Sequence, residues 1–274
     1  MLAILKKGGM VSIAPEGLAS VTGYNERIIP GLGGLLKHAN VPVYFFDFKG
    51  QGLAAPVFSP YYRNKGYTEV TVSKMFSKED IDSLSKAEIE EKVQKAFNHN
   101  EYDWQKKNRF VWDTQNQGCN SMEDVCYKCP SCLTEFSLKG EGDDITCSCC
   151  NLSFHMNEYL ALIPKTTIDK DIVNTGDWIL WERKEVIKEI KEENFRFEAN
   201  VTYGEQPTDH YVKSKERACE IIGSGKLILD HEGIHYRGTR NNEEYNLDLS
   251  YQYYYRTIFE VNTKGFGLYV DSAY

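Results

Sequence analysis

Apolar positions in the first fifty residues fall into three groups. Met10, Val11 and Ile13 form a short run between Gly8-Gly9 and Pro15, which predicts a buried strand. Leu32, Leu35, Leu36 and Ala39 recur at helical spacing and predict a helix, whose start Gly31, Gly33 and Gly34 weaken. Val41 to Phe48 reads as a second buried strand. Strand, acidic turn, loop, helix and strand make one βαβ unit of a mixed α/β sheet. Glu16 stands at the carboxyl end of its first strand, where open α/β sheets bind ligands.

Further along, Gly50 and Gly52 sit in a loop and serve its turns, since G-x-G without a following helix is a weak phosphate signal. Tyr67 to Val72 supplies another strand. Ser85-Lys86-Ala87-Glu88 is a capping box, and Ile89, Val93, Ala96 and Phe97 form one apolar stripe, so residues 85–98 make an amphipathic helix facing a core. Residues 100–125 are polar and poorly periodic, a connector whose aromatic residues dock on a neighbour. A helix follows from Asp177, its expected cap, to about Lys191, with Ile179, Val186, Ile187 and Ile190 on the buried side. From Phe195 the period becomes two. Lys226 to Asp230 and Ile234 to Arg237 flank a hairpin turn, and Asn246–Ser250, Thr257–Asn262 and Phe266–Val270 continue as strands. The pattern fits a mainly antiparallel β domain of pleckstrin-homology-like kind. The expected organisation is 1–118, 119–160 and 161–274.

The middle segment carries the strongest chemistry. Cys129-Pro130-Ser131-Cys132 and Cys147-Ser148-Cys149-Cys150 are separated by fourteen residues. Two C-x2-C pairs at this distance suit a tetrahedral four-cysteine zinc site, Cys129, Cys132, Cys147 and Cys150, with a β-hairpin between the pairs: a zinc ribbon. Pairings through Cys126 or Cys149 give poorer spacing. Redox-active cysteines and an iron cluster are the competing readings. Four sulfurs leave no open position, so the zinc is structural.

Composition narrows the partners. The 274 residues carry a net charge of −8, which argues against a general nucleic-acid binder. No apolar run approaches the roughly 20 residues of a membrane span, and Met1 to Leu5 is too short for a signal-peptide core. With its clustered cysteines the chain reads as cytoplasmic, with peripheral association at the inner face of the membrane compatible. His231-Glu232-Gly233-Ile234-His235 matches H-E-x-x-H, but the motif straddles a glycine turn between strands, whereas the zinc-protease chemistry needs both histidines on one helix face.

Ala14-Pro15-Glu16-Gly17-Leu18-Ala19-Ser20 and the later Val41-Pro42-Val43 resemble the third and fourth sequence blocks of the lysophosphatidate acyltransferase (1-acylglycerol-3-phosphate O-acyltransferase) family. The resemblance covers about the first 110 residues. It implies transfer of a fatty acyl group from a coenzyme A or carrier-protein thioester to a lysophospholipid, with Glu16, Gly17 and Ser20 on the acceptor side. Two departures stand out. The family's phosphate-holding arginine is Ala19, which cannot make that bidentate contact. Its general-base H-x4-D motif is missing, because aspartate stands five residues after none of the six histidines. The family places that block upstream of P-E-G, and Leu2 to Lys7 reads as the tail of a helix. The expectation is therefore the C-terminal part of such an enzyme, inactive alone. The alternative expectation is a non-catalytic zinc-ribbon and β-domain module that recognises a protein or membrane partner.

Overall fold

Seven α-helices and four antiparallel sheets form the architecture of the described residues, which are 1–17, 20–59, 64–205, 220–251, 258–259 and 265–267 of a computed structural model. Every strand pairing among them is antiparallel, so the expected mixed sheet with its βαβ unit is corrected. Residues 9–14 form no strand, and Met10 is 95% exposed. A short apolar run becomes a strand only beside a neighbour that takes up its N–H and C=O groups. Residues 9–14 find none among the described residues. Ahead of them, α1 (Leu2–Lys6) is a single turn and a half.

The helix α2 (Leu32–Ala39) and the strand β1 (Val43–Lys49) occupy their expected places. β1 pairs with β2 (Glu69–Phe76), Phe46 facing Val72 and Phe48 facing Val70. One face of this two-stranded sheet is partly covered, Phe45 meeting Phe97 edge-on at 4.9 Å while Thr71 and Ser73 stay exposed. The other carries Tyr44, Phe46, Phe48, Val70 and Val72, each about half exposed, which corrects the reading of this segment as a buried strand.

Between the strands lies α3 (Gln51–Ala54), and after them come α4 (Lys78–Ser83) and α5 (Lys86–Ala96). The capping box of α5 forms as expected, Ser85 with Glu88, and α4 has its own from Ser77 and Asp80. Ile28, Leu36, Phe76, Ile81, Ile89 and Val93 close a core around α5. No side chain of its own caps α2. Glu90 of α5 does so instead, accepting the N–H groups of Gly31 and Gly33 at 3.0 Å each. Gly33 is needed there, because a Cβ would enter the Lys86 carbonyl oxygen.

The expected connector contains a helix, α6 (Glu101–Asn108), capped by Asn100. Beyond it β3 (Leu138–Glu141), β4 (Asp144–Cys147), β5 (Ser153–Met156) and β6 (Leu162–Pro164) form a meander in sequence order. The hairpin expected between the two C-x2-C pairs is β3–β4. The buried residues of this meander share a core with Leu53, Phe58 and Trp112 before it and with Ile172, Trp178 and Ile179 after it. α7 spans Thr175–Ile190, and its cap is Asn174, whose side chain accepts the Asp177 N–H while Asp177 accepts in return. Its buried residues are Thr175, Gly176, Trp178, Ile179 and Glu182, whereas Ile187 is 50% exposed and Ile190 40%. Only Ile179 of the expected stripe is therefore buried.

The chain divides into two compact units, Met1–Glu182 with Ile258–Tyr274, and Arg183–Thr257. In the second, β7 (Arg196–Glu205), β8 (Glu220–Asp230), β9 (Gly233–Arg240) and β10 (Glu243–Ser250) make one antiparallel sheet in the order β10-β9-β8-β7. Asn241 and Asn242, both at positive φ, join β9 to β10 through the two-residue turn that matches strand twist. Short strands β11 (Ile258–Phe259) and β12 (Phe266–Gly267) pair with each other. The remainder of the strands expected at 257–262 and 266–270 lies outside the described residues.

Candidate metal centre

Cys129 and Cys147 each open a loop of the same build. The Cys129 N–H donates to the Thr134 carbonyl and the Leu133 N–H to the Cys129 carbonyl, both at 2.9 Å. In the second loop the Cys147 N–H donates to the Leu152 carbonyl at 2.8 Å and the Asn151 N–H to the Cys147 carbonyl at 3.0 Å. The fifth residue of each loop is left-handed, Leu133 at φ 62° and Asn151 at φ 58°. The sulfurs are held alike too. Cys129 Sγ accepts from the N–H groups of Ser131 and Cys132, and Cys147 Sγ from those of Cys149 and Cys150. Two C-x2-C segments have thus become two matching knuckles.

The knuckles meet. One ligand atom from each of Cys129, Cys132, Cys147 and Cys150 lies within 4.8 Å of the other three. Across the pair, Cys129 and Cys150 sulfurs are 3.6 Å apart and those of Cys132 and Cys147 3.8 Å. A tetrahedron with metal–sulfur bonds of about 2.3 Å has edges of about 3.8 Å, so these four sulfurs are positioned to hold a metal ion such as zinc. Their seven-cysteine neighbourhood contains no disulfide among the described residues.

Electrostatics point the same way. Burial pushes the Cys129 thiol up to about 12, against the pull of its two N–H bonds. Burial acts on Cys147 too, but the Ser137 hydroxyl and the Cys150 and Cys149 N–H groups outweigh it and bring that thiol down to about 6. The Thr134 hydroxyl, 3.3 Å from Cys132, lowers the Cys132 thiol. Thiolate is the ligand form, and four thiolates this close require a cation to neutralise them. Cys126 and Cys119 are different: both are fully buried and burial raises both thiols, Cys119 to about 12. Cys149 is exposed and contributes its backbone N–H to the cluster.

A scan against family models finds no match for this chain. Neither does any curated protein or solved structure match it.

The expected acceptor-side residues are placed as follows. Pro15 is buried, and Gly17 at φ +77° closes a turn by donating its N–H to the Ala14 carbonyl at 3.0 Å. Glu16 is half-buried, and its carboxylate accepts the Glu26 N–H at 2.7 Å. Ser20 donates to the Tyr24 carbonyl and lies 3.1 Å from the Thr22 hydroxyl. Leu18 and Ala19 lie outside the described residues. The H-E-x-x-H motif is on the turn after β8 and the start of β9, not on a helix. His231 bonds the Ile190 carbonyl, and His235 lies between Asp248 and Asp230.

One participant gave no sequence signal. Glu182 of α7 is 2% exposed, and its carboxylate accepts the Lys128 N–H at 2.7 Å and the Tyr127 N–H beside it. Burial pushes its carboxyl up to about 8 despite those bonds. It is separated from Lys128 by fifty-four positions, a distance no local motif spans.

Proposed function

We propose that the four-cysteine cluster holds a structural zinc ion, and that the segment before it is the C-terminal part of an acyl-transfer domain. In this reading the domain moves a fatty acyl group from a thioester of coenzyme A or acyl-carrier protein to a lysophospholipid. The observation that supports it is the β1–β2 sheet, partly covered on one face and bare and apolar on the other, with β1 paired to β2 alone among the described residues. A contiguous apolar face of this kind is a surface awaiting a cover. By the resemblance P-E-G closes one strand and V-P-V belongs to the next.

In this reading Glu16 and Gly17 shape the acceptor side, and the catalytic histidine and aspartate come from outside this sequence. Without a positioned base about 10²–10⁴ in rate is lost. The present chain is therefore expected to give no acyl transfer from acyl-CoA to lysophosphatidate above a no-protein control. A form extended by its upstream coding sequence is expected to show transfer that disappears when the supplied histidine is replaced.

The second reading, a non-catalytic metal-stapled module for a protein or membrane partner, is favoured by one feature. The Glu16 carboxylate is already engaged by the Glu26 N–H, which ties the loop to itself. An extended form inert with every acyl donor and lysolipid tried leaves this second reading standing.

A further inference from the structure

Lys128 immediately precedes the first metal-facing cysteine, and α7 grips its peptide from both sides. Glu182 takes the Lys128 and Tyr127 N–H groups, while the Trp178 indole N–H donates to the Lys128 carbonyl at 3.0 Å. Trp178 is fully buried and Glu182 nearly so, and Phe154 of the ribbon packs on Trp178 at 5.3 Å. The Lys128 ammonium is turned away to Glu135, 3.3 Å distant. The second knuckle has a different support: the Ser148 N–H donates to the Ser137 carbonyl, and the Ser137 hydroxyl lies 3.3 Å from Cys147 Sγ. The first knuckle is therefore gripped by α7 in addition to its own backbone pairing, in which the Phe136 N–H donates to the Tyr127 carbonyl at 2.7 Å, whereas the second is held through Ser137 without α7.

We propose that Glu182 is a positioning residue of the metal centre. It fixes the peptide that carries Cys129 and so sets the affinity for zinc, an inference that rests on the zinc reading above. Removing a group that holds a metal ligand's support typically costs 10–100-fold in metal affinity. Glutamine retains an oxygen acceptor of the same reach, so it should preserve the grip.

The test uses the full chain, with zinc affinity measured by competition against a chromogenic chelator and thiol accessibility by timed alkylation and mass mapping. Glu182→Ala is expected to weaken zinc binding about 10–100-fold. Alkylation of Cys129 and Cys132 should then run ahead of Cys147 and Cys150. Glu182→Gln is expected to behave as the unaltered chain. Unchanged affinity in Glu182→Ala overturns the proposal, as does equal alkylation of both pairs, or Glu182→Gln failing as badly as Glu182→Ala. Should Glu182→Ala not fold, Trp178→Phe removes the other half of the grip while keeping the ring. It is expected to weaken zinc binding in the same direction, and unchanged affinity there overturns the proposal. An unaltered chain that binds no zinc, and behaves as Cys129→Ser does, overturns the metal reading itself. A zinc-loaded chain indifferent to Glu182→Ala overturns only the role of Glu182.

Discussion

Leu133 and Asn151 hold the same place in the two knuckles, and only one suits it. A left-handed backbone costs an ordinary L-residue about 1–2 kcal/mol, and asparagine tolerates it better. Leu133 is 51% exposed, so it recovers little of that cost by burial. Leu133→Asn is expected to raise the stability of the metal-loaded chain by about 1 kcal/mol in denaturant titration; a loss would show that the leucine side chain packs usefully. His235 gives a pH dependence. Its hydrogen bond to Asp248 and, less strongly, to Asp230 raises its pKa, with Arg237 pairing to Asp248 and Arg196 to Asp230 around it. A raised folded value means the contribution is complete below the unfolded value of about 6.5 and is lost as pH rises through the folded one. Asp230 and Asp248 are both lowered, so their share is lost at the acid end. Unfolding of the Arg183–Thr257 unit should thus be hardest between the two ranges, and His235→Gln should flatten its alkaline limb. A variant with the same alkaline slope would assign that slope elsewhere.

At the scale of elements, local chemistry was readable and borrowed chemistry was not. The capping box of α5 and the C-x2-C knuckles are complete within a few residues, so the sequence displays them. The run at Met10 to Ile13 has strand character but needs a partner, and no residue near it says whether one exists. The helix α6 escaped notice because its face is polar, although Asn100 was a legible cap. In α7 Asp177 looked like the cap, while Asn174, three residues earlier, performs that role. The adjoining glycines of α2 separate two effects that propensity alone confuses. Helix propensity favours alanine over glycine by about 1 kcal/mol at either position. Gly34 faces only the Lys86 side-chain Cδ at 3.9 Å, ordinary van der Waals contact, so Gly34→Ala should stabilise the chain. At Gly33 the new methyl group meets the Lys86 backbone, and overpacking of about 1–3 kcal/mol outweighs the gain. Opposite signs in thermal unfolding are the expected outcome; equal signs would mean that α2 and α5 can part freely.

For the molecule as a whole, the described residues include no helix long and apolar enough to cross a membrane. Among the described residues, the outer face of β1–β2 departs from ordinary surface, with five large hydrophobics about half exposed. Phe46→Lys and Val72→Thr there are expected to change stability by no more than about 0.5 kcal/mol, as for solvent-facing positions. They should also weaken the binding of a fluorescent hydrophobic dye. A loss of several kcal/mol in either variant would mean that the face is packed in solution. The four-cysteine cluster was the most legible region, because two C-x2-C pairs write its geometry into spacing. The support around it was the least legible, since Glu182 and Trp178 reach Lys128 from more than forty positions away.

The reach of Glu90 to Gly31 and Gly33 has a consequence for the order in which this chain acquires structure. α5 carries its own start signal, whereas α2 borrows one from a residue fifty-seven positions later. During synthesis the segment of α2 leaves the ribosome well before its cap exists. Until α5 arrives, an eight-residue helix without that cap gains little by forming.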